Sequence, residues 1–195
     1  MTTTPATQDP RPQLFLALDQ MAKLFAEITP DQLDRPTPCT EFTLRQLLSH
    51  VVGAIHRLTY MGEGGPAEDV APITGNVPDD GWSAALGRAR TRVEAAWADD
   101  AKLDRPTLAP WGEVPGRAVL GGYVMEMVTH AWDIAQALGT GFQLDDALAH
   151  TALVIAEMVL PAERRGGPVP FGEVRPVDPD ADIHTRLAAW LGRTA

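Results

Sequence analysis

Residues 118–138 constrain the fold most, because this stretch contains neither lysine nor arginine. Its apolar residues recur with the period of about 3.6 residues that predicts one long, mostly buried helix. The readily ionisable side chains on it are Glu126, His130 and Asp133. At about 100° per residue, Glu126 and Asp133 lie about 40° and 60° to either side of His130. A buried helix with such a polar stripe must provide partners for it.

Two interpretations of this stripe are open. A carboxylate that is buried without a cation costs several kcal/mol or takes up a proton, and metal coordination would remove that cost. The alternative is an amphipathic helix whose Glu/His/Asp face is solvated, since short polar stripes are common. The scarcity of other polar residues between positions 118 and 138 favours a site.

His50 is the natural third ligand beside Glu126 and His130. It lies on a predicted helix about 60° from Leu47, from where a side chain that faces the bundle can reach a neighbouring helix. Two histidines and one carboxylate leave coordination positions open, which suits a catalytic zinc, nickel or iron centre better than a closed structural one. The alternative for His50 is a packed, hydrogen-bonded histidine.

Two further residues are candidates for supporting roles. Asp133 could orient a ligand imidazole through a hydrogen bond, or it could cap a neighbouring element. Cys39 could be a nearby thiol, a fourth ligand or simply a buried cysteine. His56 is rotated by about 120° from His50 and cannot easily share its site. His150 and His184 are interpreted as surface residues, and the five tryptophans as core residues.

The rest of the chain predicts an all-α bundle with extra short helices and long Pro/Gly-rich loops. Most of the 17 glycines and 17 prolines fall between the predicted helices. Residues 1–12 are expected to form a flexible tail, and residues 13–195 a single helical domain. The connection over residues 99–116 is irregular, with short extended pieces. The helices are predicted at about residues 13–28, 43–62, 81–97, 117–138, 145–160 and 182–191.

Charge and cysteine content exclude several classes of function. The chain has 16 Lys+Arg against 26 Asp+Glu, a net charge of −10. This argues against nucleic acid or an anionic membrane surface as the main partner. The single cysteine, Cys39, excludes an intrachain disulfide and fits a reducing compartment. No apolar run reaches the about 18 residues of a membrane span, and no signal core is evident, so a cytoplasmic protein is expected.

Three stretches carry a resemblance to a known family: PTPCTEFTLRQLLSHVVG, MEMVTHAWDIAQALG and PFGEVRPVDPDADIHTRLAAWLGR. With their order and spacing, they resemble the DinB-like metal-binding proteins over about residues 13–193. Within that superfamily they are most similar to the metal-binding domain of mycothiol-dependent maleylpyruvate isomerase.

The resemblance implies a four-helix bundle that holds a divalent metal between its helices. Its ligand positions match His50, Glu126 and His130, the residues selected above. Zinc is the ion that the isomerase relative implies, nickel is the second candidate, and a low-molecular-weight thiol is a candidate cofactor. The chain is expected to lack the small C-terminal α/β domain of the isomerase. The resemblance therefore implies a fold and a metal rather than a substrate.

Three functions fit these observations. The first is a metal-dependent enzyme that acts on a small molecule by thiol-dependent transfer or isomerisation, or by hydrolysis, because a bound ion lowers the pKa of a coordinated water or thiol. The second is a non-catalytic protein of the same fold that binds a metal or a small ligand. The third is an iron(II) oxygenase. The expected partner is a small molecule, and the resemblance also allows a homodimer.

Overall fold

Six α-helices and one β-hairpin make up the part of the chain that the computed structural model describes, which is residues 9–163, 165, 171–178 and 180–194. Three short 3-10 helices accompany them: Pro30–Gln32, Ala67–Asp69 and Asp100–Leu103. The main elements are α1 (Arg11–Glu27), α2 (Leu44–Glu63), α3 (Trp82–Ala96), β1 (Pro106–Ala109), β2 (Gly112–Pro115), α4 (Gly116–Leu138), α5 (Asp146–Val159) and α6 (Ile183–Trp190).

Four of the helices form a closed bundle. Helix α1 packs against α3 and α4, and α2 packs against the same two helices. Helices α5 and α6 add to this bundle, with α5 packed against both α4 and α6. Helix α4 therefore has neighbours on several sides, which explains why residues 118–138 carry no lysine or arginine. The predicted all-α bundle with extra short helices is confirmed.

Local signals in the sequence set most helix ends. The side chain of Thr43 accepts a hydrogen bond from the Gln46 N–H, and the two residues form the predicted capping box at the start of α2. Asp145 caps α5 in a similar way. Helix α1 begins at Arg11, slightly before the predicted position. The predicted tail falls mainly on residues 1–8, which lie outside the described residues.

A two-stranded antiparallel hairpin connects α3 to α4. Its register runs from Pro106↔Pro115 to Ala109↔Gly112. The sequence indicates only short extended pieces here, because four residues are too few to establish a two-residue period. No helix in the described ranges is long and apolar enough to cross a membrane.

Trp97 is the largest side chain that is fully buried, and it lies where α2, α3 and α4 meet. Its indole N–H donates a hydrogen bond to the Leu58 carbonyl oxygen at 2.9 Å. A Cβ on Gly62 would lie 2.7 Å from the indole nitrogen, and a Cβ on Gly116 would lie 2.8 Å from its six-membered ring. The two glycines therefore provide the space that the indole occupies.

Candidate metal centre

The packing of α2 against α4 brings His50, Glu126 and His130 together. Each of them offers one ligand atom, and these atoms all lie within 4.8 Å of one another. Glu126 and His130 share a face of α4 because four residues make about one helical turn. The side chains of His50 and Glu126 keep 18% and 22% exposure, so the group is open to solvent on one side. The three residues selected from the sequence are thus placed in one cluster.

The hydrogen-bond partners of His50 show which of its two ring nitrogens carries a hydrogen. Its Nδ1 lies 2.9 Å from the Pro72 carbonyl oxygen. A carbonyl only accepts, so Nδ1 carries a hydrogen and the Nε2 of a neutral imidazole has a lone pair. That Nε2 lies 3.1 Å from Glu126 Oε1, which is also an acceptor. Two acceptors at this distance repel unless a proton or a cation lies between them, so a divalent ion fits this pair.

His130 is held in the same manner by a different group. Its Nδ1 lies 3.0 Å from Asp133 Oδ2. An ionised carboxylate can only accept, so Nδ1 donates and Nε2 is the nitrogen that remains for a ligand bond. Metal-binding histidines usually donate their other N–H to a carboxylate or a carbonyl. Both imidazoles of the cluster have such a partner.

Asp133 is completely buried, and a cation neutralises it. Arg193 Nη2 lies 3.1 Å from Asp133 Oδ2, and Arg193 Nε lies 3.3 Å from Oδ1. Arg193 lies sixty positions after Asp133, so no local sequence pattern identifies it as the partner. The available signal was energetic: residues 118–138 contain no lysine or arginine, so a buried carboxylate among them requires a cation from elsewhere in the chain.

The charges of the cluster favour an ionised Glu126. Burial raises the pKa of Glu126, but the hydrogen bond and charge of His50, together with the charge of His130, lower it below its usual value. Burial lowers the pKa of His50, and the hydrogen bond and charge of Glu126 raise it above its usual value. The ionised carboxylate is the form that binds a metal, whereas His50 can bind one only when its Nε2 releases the proton that Glu126 stabilises.

Cys39 lies on the Asp133 side of the cluster. It forms a second group with His130 and Asp133, separate from His50 and Glu126. Burial raises the pKa of its thiol, and the nearby Asp133 raises it further, while the charge of Arg193 lowers it. The thiol is therefore protonated near neutral pH. Its role as a ligand or as a supporting thiol stays a prediction.

The remaining histidines lie outside the cluster. His184 is buried, and its Nε2 lies 3.1 Å from Asp146 Oδ1, so the prediction that it is a surface residue is wrong. It connects α6 to α5, and this contact depends on tertiary packing that the sequence does not show. His56 is half-buried and His150 is exposed. Neither belongs to a metal-ligand group of the described residues.

The loop of residues 70–74 reaches His50 because Gly53 has no side chain. A Cβ on Gly53 would lie 2.6 Å from the backbone of Ile73. This close approach brings the Pro72 carbonyl to the imidazole of His50. The position of His50 therefore depends on backbone packing one helical turn away.

Replacing Gly53 with alanine should destabilise the protein by about 1–3 kcal/mol, because the new methyl group displaces the backbone of Ile73. Urea denaturation of the variant measures the loss. Gly87→Ala is the matched control, since a Cβ at this exposed position of α3 meets nothing within 4 Å. It should stabilise by about 0.5–1 kcal/mol. Equal effects at the two positions would contradict the packing argument.

Two pairs of aromatic rings involve residues of α2 and α4 that are in or close in sequence to the cluster. Phe42 stacks on His50 with 5.3 Å between ring centroids. Trp111, at the tip of the hairpin, packs beside Tyr123 with centroids 6.2 Å apart and keeps 53% exposure. Tyr123 lies three residues before Glu126 and therefore on the same side of α4. Of these rings, Phe42 directly contacts a candidate ligand.

Comparisons with known proteins identify the family of the chain. The family described as the mycothiol maleylpyruvate isomerase N-terminal domain matches residues 14–135, which include all three candidate ligands. Two uncharacterized proteins of Mycobacterium tuberculosis, from strains CDC 1551 / Oshkosh and H37Rv, are each 34% identical over 178 residues. The match covers 91% of this chain and 94% of each relative.

The crystal structure of the mycothiol-dependent maleylpyruvate isomerase has the same fold, with a TM-score of 0.63. The match covers 83% of this chain and 72% of that enzyme at 14% sequence identity. The structure of a histidine-to-alanine mutant of the enzyme matches equally well. At this identity the likeness is one of fold.

Proposed function

Since the chain belongs to the family of the mycothiol maleylpyruvate isomerase N-terminal domain, a family of metal-binding domains, we propose that it binds one divalent ion through His50, Glu126 and His130. We further propose that the protein is an enzyme and that the bound ion acts on a small molecule. Zinc is the proposed ion and nickel is the second candidate, because imidazole nitrogens and a carboxylate suit both.

One observation supports this proposal most strongly. His50 Nε2 and Glu126 Oε1 lie 3.1 Å apart, while the Nδ1 of His50 is already used by the Pro72 carbonyl. The chain thus places a ring nitrogen and a carboxylate oxygen side by side, and a divalent ion could replace the proton that they share without metal. His130 adds a second imidazole whose Nδ1 is held by Asp133.

The proposed reaction is thiol-dependent transfer or isomerisation, with hydrolysis as the other candidate. The similar solved structure is that of a mycothiol-dependent isomerase, which favours a low-molecular-weight thiol as the cofactor. A divalent ion held by three protein ligands supplies a Lewis acid and lowers the pKa of a coordinated thiol or water. The chain supplies the ligand geometry and a partly open, aromatic side on which a small molecule can pack.

The protein's residues have distinct parts in this proposal. His50, Glu126 and His130 hold the ion, and Asp133 holds the imidazole of His130. Phe42 covers one face of His50, which limits the directions from which water reaches it.

Protein that is purified without an affinity-tag metal or a chelator should contain about one equivalent of a divalent ion, because three ligands converge on one position. Inductively coupled plasma mass spectrometry measures the content. Metal-free protein should gain about 2.7 kcal/mol of stability when zinc is added at a hundred times its dissociation constant. No stoichiometric metal, together with no zinc-dependent shift of Tm, would contradict the proposal.

Turnover assays separate an enzyme from a binding protein. Metal-loaded protein should accelerate at least one thiol-dependent isomerisation or transfer, or an ester hydrolysis. Loaded protein with no turnover across such a panel would instead support a non-catalytic ligand-binding protein.

A further inference from the structure

The chain turns sharply after α6 and fixes the backbone of Arg193. The Arg193 N–H donates to the Ala188 carbonyl at 2.9 Å, and the Gly192 N–H donates to the Ala189 carbonyl at 3.1 Å. This pair of bonds is the Schellman motif, in which the first residue beyond the helix C-cap adopts a left-handed backbone conformation. Gly192 is that residue, with φ 82°. The end of α6 therefore sets the place from which the Arg193 side chain extends.

The guanidinium of Arg193 is directed inward. Its side chain is only 10% exposed, and it binds both carboxylate oxygens of Asp133, at 3.1 and 3.3 Å. A planar fork on two oxygens fixes the plane of the carboxylate as well as its distance. A single point charge would fix only the distance.

The orientation of the Asp133 carboxylate in turn determines the orientation of the His130 ring. The oxygen that receives Arg193 Nη2 is Oδ2, and the same oxygen accepts from His130 Nδ1 at 3.0 Å. In the described part of the chain, the side-chain partners of Asp133 are Arg193 and His130. The direction of the His130 N–H bond therefore depends on a carboxylate whose orientation Arg193 sets.

We propose that Arg193 is a positioning residue of the metal centre. Through Asp133 it holds His130 with its hydrogen on Nδ1 and its lone pair on Nε2, so the turn after α6 controls the metal affinity of a ligand on α4. This inference rests on the proposed function in one respect, namely that His130 is a ligand.

The competing explanation is that Arg193 only stabilises the fold. Arg11 allows this explanation to be tested. Its side chain is 14% exposed and pairs with Asp9 and Asp100, so it is a similarly buried arginine in an ion-pair group. Its other hydrogen bonds go to the carbonyl oxygens of Trp97 and Ala98, and none goes to a proposed ligand. A purely structural loss should appear in both arginine variants.

The test compares Arg193→Ala, Arg193→Lys and Arg11→Ala in the full chain. Competition with a chromophoric chelator, below the Tm of every variant, gives the zinc dissociation constants. We expect Arg193→Ala to weaken zinc binding by about 10-fold, the lower end of the about 10- to 100-fold cost of losing a direct partner of a ligand, because Arg193 acts on His130 through Asp133. Arg11→Ala should lower Tm without changing the zinc affinity. Arg193→Lys should recover part of the affinity, since it restores the charge but not the fork.

A second measurement does not require metal. Long-range ¹H–¹⁵N spectra of the zinc-free protein report which nitrogen of His130 carries the hydrogen. The Nδ1–H form should dominate in the wild type and in Arg11→Ala, and it should lose population in Arg193→Ala. If that variant does not fold, the same loss, smaller in size, is expected in Arg193→Lys.

The outcomes separate the two proposals. Unchanged zinc affinity in both Arg193 variants, with a wild type that binds zinc, overturns the positioning role and leaves the proposed function standing. A wild type that binds no divalent ion overturns the proposed function. In that case an unchanged His130 tautomer in the Arg193 variants also overturns the positioning role, and a shifted one supports it.

Discussion

His130→Ala should abolish stoichiometric zinc binding, with a loss of affinity greater than the about 10- to 100-fold that follows from removing an outer partner. The variant removes one of the two imidazoles of the cluster and leaves His50 and Glu126. It keeps the ion pair of Asp133 with Arg193, so the buried carboxylate retains its cation. The chain should therefore fold and lose its metal.

Metal content and chelator competition measure this loss, and circular dichroism checks the fold. His56→Ala is the matched control, because His56 is a half-buried histidine on α2 outside the metal-ligand groups of the described residues. It should retain its zinc. Normal zinc affinity in His130→Ala would show that His130 is not a ligand of the ion.

Trp97→Ala should destabilise the protein by about 3–5 kcal/mol, which is the usual cost of removing a buried aromatic side chain. Trp97 is fully buried, and Gly62 and Gly116 lie against its ring. Two facing glycines have no side chain that could move into the space left by the indole. The Leu58 carbonyl oxygen would also lose the donor that it now has.

Urea denaturation followed by circular dichroism measures this change without relying on tryptophan fluorescence. Trp111→Ala is the control: Trp111 is 53% exposed, and its removal should change the free energy of unfolding by about 0.5–1 kcal/mol at most. Trp97→Phe should fall between the two, because it keeps a ring but loses the hydrogen bond to the Leu58 carbonyl oxygen. Similar losses in Trp97→Ala and Trp111→Ala would contradict the assigned packing.

The helices were predictable because their signals are local. The capping box of Thr43 and Gln46 and the apolar period of α2 and α4 act within a few residues, and both are present in the structure. The β-hairpin was only partly predictable, since each strand has four residues. The burial of His184 could not be predicted, because it arises from the packing of α5 against α6.

In the candidate site, the ligands were predictable from local spacing, and their hydrogen-bond partners were not. The spacing of Glu126 and His130 places them on one face of a helix, and an inward position on a neighbouring helix selects His50. The partners that hold the imidazoles follow from tertiary structure. The Pro72 carbonyl reaches His50 from a loop, and Arg193 reaches Asp133 from the far end of the chain. No short-range pattern connects residues at such separations.

The two imidazoles differ in their sensitivity to mutation. The partner of His50 is a main-chain carbonyl, which every amino acid possesses, so a substitution at Pro72 that keeps the loop in place preserves the acceptor. The partner of His130 is a side chain, and most substitutions of Asp133 remove it. A mutational scan should therefore find that most substitutions are tolerated at position 72 and few at position 133. Both residues nevertheless accept a hydrogen bond from the Nδ1 of a candidate ligand histidine.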